Sequence, residues 1–146
     1  MPKKTPPFKH FSEWTTARFF GFIRSGLREK FNRYPVKYRV LGSAATTVPV
    51  LDDKGLQVEY KSGPKKGTLK FAKAYKCASC EQLFNQKSVQ VDHIEPAGSL
   101  QSFEDLASFA ERLFCGEEGL QILCTQCHDI KTKEDRENAR NDKDSN

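Results

Sequence analysis

From Ser12 to about Tyr34, Phe20, Ile23, Leu27 and Phe31 recur at steps of three and four residues, one face of a helix. Ser12 is placed to cap that helix with Glu13 in its first turn, and Pro35 stops it. Gly21 and Gly26 weaken it, with a break expected near Gly26. The stretch Val36–Lys54 has Tyr38, Val40 and Leu41 but little periodicity. Leu56-Gln57-Val58-Glu59-Tyr60 then alternates as a half-buried strand does. Ser62–Gly67 reads as a turn and Leu69–Lys76 as the returning strand, so a β-hairpin with a lysine-rich tip is expected. Val89–Ile94 alternates again until Pro96 and Gly98 end it. Between Gly98 and Gly116, Leu106, Phe109, Leu113 and Phe114 form an apolar stripe behind a capping-box-like Ser102 and Asp105. The chain is α+β, without internal repeats.

At 146 residues it has room for one ordinary domain. With 37% hydrophobic and 29% charged residues, its core is modest. No apolar run approaches the roughly 18 residues needed to span a bilayer, so no membrane partner is expected. Met1-Pro2-Lys3-Lys4-Thr5 leads into no apolar segment, which points to the cytoplasm rather than secretion. Residues 1–11, rich in Pro and Lys, read as a flexible basic arm in which His10 is simply solvated.

The net charge of +5 hides a division. Residues 1–76 hold 17 Lys and Arg against 5 Asp and Glu, or +12; residues 77–146 hold 7 against 14, or −7. The first part suits a polyanion such as DNA, through Arg18, Arg24 and Arg28 on the helix and Lys65 and Lys66 at the hairpin tip. A basic helix of this kind can equally be core-facing with a solvated outer side. The acidic part would repel phosphates unless a cation joins it.

Four of the five cysteines form two pairs, Cys77-x-x-Cys80 and Cys124-x-x-Cys127. In a chain without a secretion signal, that is the ligand set of a tetrahedral structural Zn²⁺ site rather than a disulfide framework. Neither pair opens a helix in a βαβ context, which argues against a redox dithiol. Zinc contributes about 10–16 kcal/mol in small domains, against a domain stability of about 5–15 kcal/mol. The metal should therefore decide whether residues 77–131 fold. Cys115, left over, reads as a small buried hydrophobe. Four cysteines alone would make a zinc ribbon or knuckle with no chemistry of its own.

Asp92 and His93 end the strand Val89–Ile94, and His128 follows Cys127 directly. Together with Cys77-x-x-Cys80, Val91-Asp92-His93-Ile94-x-Pro96, Gly119–Cys124, Cys127-His128 and Lys131-Thr132, they resemble the HNH endonuclease family. The resemblance covers roughly residues 75–133 and is similar in detail, including Leu113-Phe114-Cys115, to small HNH proteins of bacteriophages. It implies a ββα-metal core with a structural four-cysteine zinc site, preceded by the basic helix and hairpin.

The resemblance further implies that His93 is the general base, and that Asp92 and His128 hold a catalytic Mg²⁺ or Mn²⁺. The products would be a 5′ phosphate and a 3′ hydroxyl. DNA would be the substrate, phage packaging proteins further partners, and the host cytoplasm the location. The family's middle Asn falls at Gly119 here, five residues before Cys124, with Glu117 and Glu118 the nearest substitutes. The expected organisation is a basic arm at 1–11, a DNA-contacting helix and hairpin at 12–76, a nuclease core at 77–133 and a disordered charged tail at 134–146. Oligomeric state is open: a monomer would nick one strand, and a dimer could cut both. The alternative is a non-catalytic zinc module that binds DNA or a phage packaging or assembly partner.

Overall fold

A computed structural model describes residues 13–145. The basic arm, His10 and the expected Ser12 cap lie outside the described residues. The chain forms two compact units, each assembled from two separate stretches. One takes the chain up to Arg39 together with His93–Leu120, and the other Val40–Asp92 together with the chain from Gln121 onward. The division therefore falls elsewhere than at residues 76 and 77.

In the first unit, helix α1 spans Thr16–Phe31, and Thr15 rather than Ser12 caps it, its hydroxyl accepting from the Arg18 N–H at 3.2 Å. Phe20 and Phe31 are buried, with Ile23 and Leu27 half-buried on the same face. The helix runs unbroken through Gly21 and Gly26, both of which look onto open space. Pro35 does more than end α1. It opens a second helix, α2 (Pro35–Ala44), at the position where a missing N–H is harmless.

Helix α3 (Leu106–Leu113) buries Phe109 and Leu113 completely. Ser102 does not cap it: the N-cap is Asp105, which makes no side-chain cap bond to the helix, and whose carboxylate instead accepts from the backbone N–H of Gln101 at 3.0 Å and of Ser102 at 3.2 Å in the turn before it. Aromatic rings join the helices within this unit. Phe103 lies 5.9 Å from Phe19 and 5.1 Å from Phe20, centroid to centroid, while Tyr34 meets Phe114 at 5.2 Å. The Tyr34 hydroxyl contacts the carbonyls of Phe114 and Cys115 at 3.0 and 2.8 Å, a part-buried chain reversal with its polar groups satisfied.

In the second unit, β1 (Ala45–Pro49) pairs antiparallel with β2 (Phe71–Lys76), from Ala45 opposite Tyr75 to Pro49 opposite Phe71. A short β3 (Leu83–Phe84) closes the other edge of β2. The expected hairpin is present as a small extension. Tyr60 donates to Thr68 and Gly67 back to Tyr60, both at 2.9 Å, around a turn carrying Lys65 and Lys66. Leu56–Tyr60, however, contributes only isolated bridges, Gln57 to Leu51 and Glu59 to Leu69. The ladder partner of β2 is β1, from the stretch without periodicity.

Strands β4 (Val89–His93) and β5 (Leu120–Cys124) form a separate two-stranded sheet, and α4 (Thr125–Asp144) leaves β5 directly. Tyr75, Val89 and Ile122 are the buried centre of this unit, flanked by Val40, Leu41, Ala45, Phe84 and Val91. Helix α4 continues through residues 134–144, where the sequence reading expects a disordered tail. That segment is almost wholly polar, with acidic and basic residues interspersed, a composition a solvated helix accepts.

Candidate metal centre and the residues around it

Cys77 is delivered by the end of β2 and is fully buried. The first Cys-x-x-Cys turn is closed by the Glu81 N–H on the Cys77 carbonyl and the Cys77 N–H on Gln82, both at 2.9 Å. Glu81 takes the left-handed conformation this tight turn demands, with φ of 63°. Ala78 N–H donates to the Ile122 carbonyl at 2.8 Å, which ties the turn to β5. Cys124 caps α4, its sulfur accepting from the Cys127 N–H at 3.4 Å. The four sulfurs of Cys77, Cys80, Cys124 and Cys127 all lie within 4.8 Å of one another and could hold a metal ion such as zinc.

Their electrostatics call for a cation. Burial acts to raise Cys77, but backbone N–H groups of Cys124, Cys80 and Ser79 outweigh it and hold the thiol at about 6. Cys127 is pushed up to about 12, first by the neighbouring Cys124 sulfur. Cys80 gains from the Gln82 N–H, yet desolvation and the sulfurs of Cys77 and Cys124 together raise it. Four thiolates this close repel one another, and a divalent ion is what lets all of them lose their protons.

A second group sits in the same unit. The side chain of Asp92, on β4, faces the Nε2 of His128, in the first turn of α4, with Oδ1 at 3.7 Å. That is too long for a hydrogen bond. The Nδ1 of His128 is buried without a hydrogen-bond partner. The other oxygen of Asp92 is 3.2 Å from the Lys131 ammonium, which also holds Asp135 at 2.7 Å. Burial acts against the Lys131 charge, but its bonds to Asp135 and Asp92 prevail and raise its pKa. Gln121 Nε2 stands 3.5 Å from the same Asp92 oxygen. Ser79, Gln121, Lys131 and Asp135 line an open cavity of about 400 Å³.

His93 belongs to the first unit. Successive strand residues point oppositely, and its ring contacts Phe31, centroids 4.7 Å apart. Its Nε2 is 2.7 Å from the carbonyl of Leu113, one of the last-turn carbonyls that α3 leaves unpaired. A carbonyl only accepts, so Nε2 carries a proton, and in the neutral ring Nδ1 is the nitrogen with the lone pair. The adjoining Ile94 N–H donates to the Gly119 carbonyl at 2.9 Å. Backbone, not a side chain, therefore braces this turn at the position where the HNH pattern has its Asn. A Cβ on Gly119 would stand 2.6 Å from the Cys115 sulfur, so no larger residue enters without Cys115 moving.

The basic residues lie apart from these groups in the chain. Arg18 stacks over Trp14 at 4.9 Å beside Phe22, which is 64% exposed. Burial and the charge of Arg24 both lower the pKa of Arg28, so the two guanidinia crowd one side of α1. Lys65 rests over Tyr60 at 5.8 Å, and Lys66 is exposed.

Sequence reasoning missed the bridging position of Lys131, although its four-residue spacing from Asp135 was a readable signal. It also missed the Leu113 carbonyl, for which a backbone group leaves no signal. Among the described residues no helix is long and apolar enough to cross a membrane. No protein-family model, curated protein or solved structure matches this chain.

Proposed function

We propose that the chain is a metal-dependent DNA endonuclease of the HNH type, hydrolysing phosphodiester bonds in duplex DNA, with zinc as the structural metal of its four cysteines. The observation that carries this reading is the approach of Asp92 Oδ1 and His128 Nε2 to 3.7 Å without a hydrogen bond, one strand residue away from His93. A carboxylate and an imidazole so placed would hold Mg²⁺ or Mn²⁺. When bound, such an ion stabilises negative charge on the phosphate and the departing 3′ oxygen. His93, with its Nε2 proton committed to Leu113, is left with Nδ1 as the base for an attacking water. Arg18, Arg24, Arg28, Lys65 and Lys66 would meet the DNA backbone.

A second reading, a zinc-dependent DNA-binding or phage-assembly module without catalysis, draws on Lys131, whose ammonium occupies one oxygen of Asp92. Supercoiled plasmid incubated with Mg²⁺ or Mn²⁺ separates the two. The endonuclease reading expects nicking by the wild type and its loss in His93→Ala, with zinc content and circular dichroism unchanged. No nicking by either protein decides for the binding module, and equal nicking by both overturns the endonuclease reading with His93 as its base.

A further inference from the structure

Lys131 sits where the proposed metal site would least tolerate it. Its ammonium is 3.2 Å from Asp92 Oδ2 and 2.7 Å from Asp135 Oδ2, while the other oxygen of Asp92 faces His128. The Lys131 side chain is only 21% exposed, so water screens its charge poorly. A divalent ion arriving on Asp92 and His128 would meet this fixed positive charge within a few ångströms. Two carboxylates, one ammonium and a divalent ion leave one positive charge in excess. Asp129, 3.8 Å from the other ring nitrogen of His128, and Glu134, on the same cavity as Lys131, are both exposed, so they offset this excess only in part. A single phosphodiester anion supplies what is missing, and Lys131 borders an open cavity through which it can be reached, lined also by Ser79, Gln121 and the carboxylates of Glu134 and Asp135.

We propose that Lys131 is a positioning residue that makes metal binding at Asp92 conditional on DNA: its ammonium competes with the ion in the free protein and turns to the phosphate when DNA is bound. The inference rests on the assignment of Asp92 and His128 as ligands of the catalytic ion. By linkage, metal and DNA then strengthen each other's binding through Lys131.

The test titrates Mn²⁺ into the zinc-saturated full chain without DNA, followed by electron paramagnetic resonance of the free ion. Lys131→Met should bind Mn²⁺ roughly tenfold more tightly than the wild type, and Lys131→Arg, which keeps the charge, should bind like the wild type. A gain of affinity is an outcome that a damaged fold does not produce. In fluorescence anisotropy with a labelled duplex, Ca²⁺ should tighten DNA binding of the wild type more than that of Lys131→Met. Equal or weaker Mn²⁺ binding by Lys131→Met overturns the proposal. Asp92→Asn separates the two levels of the argument. If it weakens Mn²⁺ binding while Lys131→Met matches the wild type, the competition alone is wrong. If Asp92→Asn also matches the wild type, the metal site itself is wrong and the proposal falls with it.

Discussion

Residue identity sets the chemistry available at each point, and two residue-level contacts make sharp tests. Gly119 is opposed by Cys115, whose sulfur would stand 2.6 Å and whose Cβ 3.1 Å from an added methyl group. Gly119→Ala should destabilise the chain by about 1–3 kcal/mol through overpacking. Cys115→Ala should relieve part of that loss. A double-mutant cycle read by denaturant midpoints should therefore show coupling, and additive effects would remove the contact from the account. The Ile94 N–H on the Gly119 carbonyl holds this turn without a side chain.

The cysteines give a second residue-level test. Cys77 is held at about 6 and Cys127 at about 12, with Cys80 also raised. At about pH 7.5, a unit or more above Cys77 and well below Cys127, the metal-free chain keeps the protons of Cys80 and Cys127, while Cys77 is already a thiolate. Zinc uptake must displace the retained protons, so at least two should be released per ion. Calorimetry in buffers of different ionisation enthalpy counts them. Acidification restores protons to the thiols, Cys77 included below about pH 6, so zinc affinity should fall as pH falls through that value.

At the scale of elements, α1 shows pattern and structure agreeing on the face and differing on the ends. Phe20, Ile23, Leu27 and Phe31 specify the inward side through a period the backbone imposes. The cap falls on Thr15, because several polar residues near a helix start can serve and tertiary packing selects among them. Gly21 and Gly26 remain in the helix with nothing within 4 Å of where a Cβ would lie. Gly26→Ala should therefore raise stability by about 0.5–1 kcal/mol, seen as a higher denaturant midpoint at unchanged slope. A fall in the midpoint would mean that this face of α1 is covered. The sheet illustrates the opposite case. Leu56–Tyr60 alternates well yet makes isolated bridges, whereas Ala45–Pro49 takes the ladder with β2. Strand partners are chosen by distant segments, and neither local alternation nor its absence records that choice.

For the whole molecule, charge is the property that the sequence shows most directly. Residues 1–76 carry +12 and residues 77–146 carry −7. On the proposed function, DNA affinity should fall steeply with salt, and Arg24→Ala with Arg28→Ala should flatten the slope of log affinity on log salt by up to about 2. An unchanged slope in filter binding or anisotropy would take α1 out of the interface. Lys65→Ala with Lys66→Ala makes the matching test for the hairpin tip. The units themselves were not readable in this way. Each is built from two stretches with part of the other unit lying between them in the chain, and chain proximity gives no account of such an arrangement.

The sequence alone determined the candidates: the two cysteine pairs, Asp92, His93 and His128 as proposed ligands and base, and the bias of basic residues toward the N-terminal half. It did so because ligand type, spacing and charge are local properties of the chain. Only the tertiary structure decided that the four sulfurs converge, that β1 partners β2, and that Lys131 stands on Asp92. It also decided that the Leu113 carbonyl accepts a hydrogen bond from His93 Nε2 and that Cys115 fills the space beside Gly119. These outcomes depend on distances between segments remote in sequence and on backbone groups common to every residue, and neither is written in the order of side chains.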